Sequence, residues 1–195
     1  MIRLLLVLEL LVSTALGYLI APPLAIVPLG ALIGVYLYAG RGASPGDPRF
    51  KDLPALKSFF IACAHLALVI ATLWGNDHDL LSHPRWVTIA SLVGIWMIVS
   101  ADAILCDLDD IQSDAIYQTR SLPVLIGNDR AWIFAIMTLG LGSALLQVQD
   151  ALSIPMIVVG LLIWVSALPT RVRKNRRDLI DARLLPIVIL GMMMR

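Results

Sequence analysis

Apolar residues run along this chain in blocks too long for strands and too uniform for the one-sided helices of a water-soluble fold. The blocks are Ile2–Ile20, Leu24–Gly40, Leu56–Trp74, Trp86–Leu105, Ala131–Leu146, Ala151–Leu168 and Leu184–Met194. A helix that crosses a bilayer core needs about 20 mostly apolar residues, with about 17 as the lower end. Six blocks meet or approach that length. The last holds 11 uncharged residues and needs Leu179–Ala182 to complete it, despite Asp181. The pattern predicts an all-α fold: a multi-pass transmembrane bundle of seven spans, in a single membrane-embedded domain over residues 1–195.

The polar gaps carry the punctuation. Pro22-Pro23 permits only a tight turn, so the first two spans form a hairpin. Residues 40–54 (GRGASPGDPRFKDLP) and 75–84 (GNDHDLLSHP) are polar and marked by proline and glycine. Asn128 or Asp129 is expected to cap the helix that begins near Arg130. The segment from Arg3 through Ser13–Gly17 also has the form of a secretory signal. Its apolar run continues to Ile20 with no polar flank before the next span, which favours a membrane helix.

Composition agrees. Hydrophobic residues make up 59% of the 195 and charged residues 15%, against roughly 45–50% and about 25% in soluble proteins. The mean hydropathy is +0.86. A formal net charge of +1 argues against nucleic acid as a partner. Cys63 and Cys106 lie in or beside apolar runs and suggest neither a disulfide framework nor a zinc site. Basic residues give the orientation, because they are retained on the cytoplasmic side. Counting gaps alternately, Arg3, Arg41, Arg49, Lys51, Lys57, Arg120, Arg130, Arg171, Arg173, Lys174, Arg176, Arg177 and Arg183 fall on one side, and only Arg85 and Arg195 on the other. The N-terminus is therefore expected inside, with the gaps that carry the basic residues in the cytoplasm.

Asp107, Asp109, Asp110 and Asp114 crowd one end of the fourth span, with Asp102 just upstream. Each aspartate at the centre of a lipid-facing helix costs about 2.5–3.5 kcal/mol, so the four together would cost about 10 kcal/mol or more. They belong at the interface, in a watery cavity or around cations, and such a cluster is a functional candidate. On a continuous helix Asp107, Asp110 and Asp114 fall within about 60° of one face. Three carboxylates so placed repel one another, and something positive should stand among them. Magnesium fits, since it takes one or two carboxylates and completes its shell with water and phosphate oxygens. A solvated loop balanced by Arg120 and Arg130 is the plainer reading. Emergence directly from a span, and the apolar run Ser121–Gly127 that follows, weigh against it.

The stretch Cys106–Gly127, CDLDDIQSDAIYQTRSLPVLIG, closely resembles the second aspartate-rich motif of the UbiA superfamily of membrane prenyltransferases. That pattern runs D-x-x-D-x-x-x-D, then a basic residue before a T/S-L-P turn. Residues 51–57, KDLPALK, look like the family's cytoplasmic segment leading into its fifth helix. Asp102 departs from the pattern, standing where many members have asparagine. The resemblance implies nine helices and two such motifs, and the seven spans here match helices three to nine. The first motif has no counterpart, so the expectation is an N-terminally incomplete chain or a natural half-protein with a partner chain supplying the missing helices.

The resemblance further implies transfer of a prenyl group from an allylic diphosphate to a lipophilic or aromatic acceptor, in a bacterial or archaeal inner membrane. It implies magnesium (Mg2+) held by Asp107, Asp110 and Asp114, with Asp110 and Asp114 catalytic, and diphosphate gripped by Arg120, Lys57 and Lys51. Membrane lipids are the remaining expected partner. Elsewhere, Glu9 is read as a cavity or helix contact, and His65 as a bonded interior residue. His78 and His83 are read as loop residues, and Tyr36 and Tyr38 as interfacial aromatics. Three rivals stand beside this reading. A CDP-alcohol phosphotransferase needs glycines among its aspartates, and none occurs from Ile95 to Ile126. A half-protein could bind lipid diphosphate, or act as a membrane subunit, without turnover. A cation transporter would pair broken helices at midplane, which the pattern lacks.

Overall fold

The computed structural model describes residues 2–20, 22–39, 52–75 and 84–147, and helical positions at Leu161, Trp164 and Val165. Among the described residues every regular element is helical. They are α1 (Ile2–Ile20), a 3-10 turn (Pro22–Ala25), α2 (Ile26–Ala39), α3 (Leu56–Gly75), α4 (Arg85–Asp107), α5 (Ile111–Ile116), α6 (Leu122–Ile126) and α7 (Asn128–Leu146). The expected hairpin is present: the two prolines open the 3-10 turn, and α1 packs against both that turn and α2. The first five apolar blocks each contain a helix. The sixth and seventh blocks lie outside the described residues, apart from the three helical positions in the sixth.

Among the described residues two helices are long and apolar enough to cross a membrane, α4 with 23 residues and α7 with 19, and only 39% and 33% of their apolar windows are buried. Shorter apolar helical stretches are Val7–Leu19, Pro22–Tyr36 and Leu56–Ala71. The core sits where α4 and α7 pack together. Ala101, Ile104, Leu105 and Leu108 recur at helical spacing of three and four, and meet Ala131, Ala135, Ile136 and Leu139. The small alanines let the two backbones approach closely, as membrane helices require when lipid is as apolar as the side chains.

The two backbones come close at Gly94 and Gly142. A Cβ on either residue would stand 2.8 Å from the carbonyl oxygen of the other, and one on Gly142 would also stand 3.0 Å from Met97 and Ile98. Residues late in α7 thus face the middle of α4, while Ala131 and Ala135 at its start join Ile104 and Leu105, so the helices run antiparallel.

The ends of α7 and α4 differ from expectation. Neither Asn128 nor Asp129 is the cap of α7: the helix begins at Asn128, and Gly127 occupies the capping position with φ 87°. Gly127 also closes α6, so one left-handed glycine joins two helices and leaves no residue free to act as a side-chain cap. The acidic stretch is not a single helix. α4 ends at Asp107 in tight turns, with Asp109 N–H donating to the Cys106 carbonyl and Asp110 N–H to that of Asp107, and α5 then starts afresh at Ile111.

Gly142→Val is expected to destabilise the protein by about 1–3 kcal/mol through forced separation of α4 and α7. Gly30, whose Cβ would meet nothing within 4 Å, is the control. Gly30→Ala should be neutral or stabilise by up to about 1 kcal/mol. Reversible unfolding in mixed micelles measures both.

Candidate functional site: a buried ion cluster at the end of α4

Lys57 lies in the first turn of α3, and Asp107 is the last residue of α4. The Lys57 Nζ stands 2.8 Å from Asp107 Oδ1. It also donates to Asp114 Oδ2 at 2.9 Å and to Oδ1 at 3.1 Å. Its three N–H donors thus have three carboxylate oxygens to meet. The fourth oxygen, Asp107 Oδ2, accepts a hydrogen bond from the Ser58 hydroxyl at 2.7 Å. Both carboxylates are nearly inaccessible, Asp107 at 3% and Asp114 at 8%. Charges so far from water require this pairing, because the penalty of burying an ion is met only when its partners are close and complete.

The backbone around the cluster is strapped to match. Ala55 N–H donates to the Arg120 carbonyl at 2.9 Å, and Thr119 N–H to the Asp114 carbonyl at 2.8 Å. The Thr119 hydroxyl donates to Asp52 Oδ1 at 3.1 Å. These bonds hold the segment entering α3 against the segment following α5. Ala55 and Gln118 both take φ 58°, a left-handed conformation uncommon outside glycine. Each lies within two residues of a strap or cluster residue, so local backbone strain is concentrated where the two segments meet.

Tyr38 brings α2 to the same end of the molecule. Its ring stacks on Phe60 with centroids 5.6 Å apart, and its phenol lies in the electrostatic field of Lys57, Asp107, Asp114 and Asp110. Ser121, the first residue beyond Arg120, has a fully buried hydroxyl without a hydrogen-bond partner among the described residues.

The sequence-based candidates therefore divide. Asp107, Asp114 and Lys57 come together. Asp110 holds the turn between α4 and α5, its carbonyl accepting from Asp114 N–H at 2.8 Å and from the Ser113 hydroxyl at 2.9 Å. Arg120 is exposed and contributes its carbonyl to the strap. Lys51, His78 and His83 lie outside the described residues. His65 is bonded to the Ile61 carbonyl at 2.9 Å but is exposed, not interior. Glu9 is likewise exposed, and neither Cys63 nor Cys106 is in a disulfide. Ser58, Thr119, Asp52 and Tyr38 belong to the site without having been predicted there. The alternation of a hydroxyl beside each charged residue, Lys57-Ser58 and Thr119-Arg120, was the signal for the first two.

Magnesium, implied by the family resemblance, has the right donors here, hard carboxylate oxygens. The arrangement is wrong for it. Lys57 Nζ stands between Asp107 and Asp114, and among the described residues no three Asp, Glu, His or Cys side chains group as a metal-holding set. As arranged, these residues do not fit the ion. The positive charge expected among the carboxylates is the Lys57 ammonium.

Ser58→Ala removes the donor to Asp107 Oδ2 and is expected to destabilise the protein by about 1.5–3 kcal/mol, as for hydrogen bonds to buried charged groups. Ser113→Ala, on the exposed side of α5, should shift stability by less than about 0.5 kcal/mol. Thermal unfolding of the two variants side by side measures the difference. No family model matches the chain, and neither does any curated protein or solved structure.

Proposed function

We propose that this chain is a multi-pass integral membrane protein of seven spans that binds the diphosphate of an isoprenoid at the α4 end and transfers its prenyl group to a lipophilic or aromatic acceptor. One observation carries the reading: Lys57, from the segment KDLPALK, lies within salt-bridge distance of Asp107 and Asp114, from the segment CDLDDIQSDAIYQTRSLPVLIG. The resemblance to UbiA prenyltransferases assigns those same two segments to one diphosphate site. Here they are joined by ion pairs and by backbone bonds.

The membrane setting has separate support. Val7, Leu8, Leu11, Val12, Leu16 and Leu19 are exposed along α1, and Ile26, Leu29, Leu32, Ile33 and Val35 along α2. Contiguous apolar surface on that scale is not left to water by a soluble monomer. Lys57, Arg120 and Arg130 all belong to the α4 end, whereas Arg85 opens α4 at the other, so the ion cluster is assigned to the cytoplasmic face.

In this reaction the bond from the allylic carbon to the diphosphate oxygen breaks, and its electron pair leaves with the diphosphate. The allylic carbon bonds to the acceptor, which gives up a proton. This chain's part is to bind and orient. The Lys57 ammonium and the exposed Arg120 guanidinium offset charge on the leaving group. Aromatic and apolar residues beside them, Tyr38 and Phe60 first, keep water from the allylic cation. Asp110 and Asp114 hold the turn that fixes where the cations stand.

The reading predicts that the purified chain binds geranylgeranyl diphosphate in the presence of magnesium. Asp110→Asn combined with Asp114→Asn should weaken binding by at least about tenfold. Equal binding by the folded double variant and the wild type would remove the site from these residues. Binding with no transfer to any acceptor would favour the non-catalytic subunit. Cation flux into sealed vesicles without diphosphate would favour a transporter.

A further inference from the structure

His65 stands on the side of α3 that leads down to the ion cluster. At about 100° per residue it projects within about 20° of Ser58, seven residues earlier, and about 80° from Lys57. Phe60 lies about 60° from Lys57 the other way, so the lysine projects between them. α4 packs on the opposite side of α3. There Phe59 stacks on Trp96 with ring centroids 5.4 Å apart, and the Trp96 indole N–H donates to Cys63 Sγ at 3.4 Å. His65 is exposed, as is Leu68 three residues on.

The imidazole is also fixed in one tautomer. Its Nδ1 stands 2.9 Å from the Ile61 carbonyl oxygen, which can only accept. Nδ1 therefore carries the hydrogen, and in the neutral ring Nε2 presents a lone pair. Among the described residues nothing else bonds this side chain. α3 covers Leu56–Gly75, so His65 sits at its middle. At that depth an ionisable side chain faces the bundle interior or a watery cavity rather than lipid. The face it shares with Ser58 reaches the ion cluster about 10 Å away along the helix axis.

We propose that His65 is the base for the proton the acceptor gives up, and that the acceptor offers that proton as a phenolic hydroxyl. The role as a base rests on the prenyl-transfer reading above, whereas binding of a phenol at Nε2 does not. With diphosphate held at Lys57 and Arg120, the allylic carbon is the first atom beyond the phosphates. An aromatic ring laid against that carbon bridges the remaining distance, with its hydroxyl at Nε2. As a ring carbon bonds to the allylic carbon, the bond from that carbon to the diphosphate oxygen breaks and its electron pair leaves with the diphosphate. The hydroxyl proton passes to Nε2, and the ring becomes a dienone. The substituted ring carbon then loses its hydrogen to water as a proton, while Nε2 returns its own to the oxygen. The phenol and the neutral imidazole are restored, and the prenyl group has replaced one ring hydrogen. A histidine suits the task, because its basicity lies near working pH and its orientation is set by the backbone bond at Nδ1.

Two readouts test this. In the first, the full chain in detergent carries isotope-labelled histidine, and the imidazole nitrogens are followed by magnetic resonance with no diphosphate present. The chain has three histidines, and His65→Gln identifies the signal of His65. At a pH where the ring is neutral, para-cresol should shift the Nε2 resonance of His65 saturably, whereas its methyl ether should not. No shift with the phenol overturns the proposal, and so does an equal shift with the ether.

The second readout is transfer from geranylgeranyl diphosphate to para-cresol. His65→Gln keeps a hydrogen-bond acceptor but no basic nitrogen, and the exposed position leaves the packing of α3 alone. The variant should lower kcat by at least about 100-fold, with diphosphate binding unchanged. An unchanged kcat overturns the base assignment. A wild type that binds no diphosphate defeats the prenyl-transfer reading, and the base assignment falls with it. The phenol site then stands or falls by the resonance shift.

Discussion

Two carboxylates withdrawn from water and one ammonium between them set the terms for this end of the molecule. Asp107 and Asp114 are buried to a degree that aspartates reach only with partners, and Lys57 gives each of them a contact shorter than 3 Å. Several otherwise unrelated features follow from that requirement. α4 has to stop at Asp107 so that the chain can turn and bring Asp114 back. The segment before α3 has to run close enough for a lysine to reach. The Ala55–Arg120 and Thr119–Asp52 bonds hold that approach, and two non-glycine residues accept left-handed backbone to make it. Removal of the ammonium would undo the reason for all of these at once.

The cluster is polar and specific, while the rest of the described bundle is apolar and tolerant. Alanine and glycine on α4 and α7 let the two helices approach until a Cβ on Gly94 or Gly142 would stand 2.8 Å from the facing carbonyl oxygen. The exposed positions of α1 and α2 are mostly aliphatic. A protein built this way can vary its helix surfaces widely and still present the same charged end, because the helix crossing and the ion cluster are separate sets of contacts.

Much of this was legible beforehand, for identifiable reasons. The Pro22-Pro23 turn follows from two residues that cannot continue a helix, and the limits of α3 and α4 follow from where apolar runs meet proline or aspartate. The need for a positive charge among Asp107, Asp110 and Asp114 follows from spacing alone. What spacing could not supply was which cation. Lys57 precedes Asp114 by 57 residues, and local patterns do not report contacts at that range. Asp107 and Asp114 converge because the helix breaks between them, not because it continues. The start of α7 was misplaced because Gly127 is already committed to ending α6 in a left-handed conformation. Ser58 and Thr119 escaped notice because a hydroxyl beside a charge is common, and only the fold makes these two necessary.

The position of Lys57 in the first turn of α3 has a consequence for biogenesis. A ribosome adds about 5–20 residues per second, so the 57 residues between Lys57 and Asp114 correspond to several seconds of synthesis. Until Asp107 is made, the lysine lacks both of its carboxylate partners. In the middle of an apolar helix an unpaired ammonium would have to be buried alone, whereas at the helix terminus it can stay hydrated. The ion cluster can close only after α3, α4 and the α5 turn have all been synthesised.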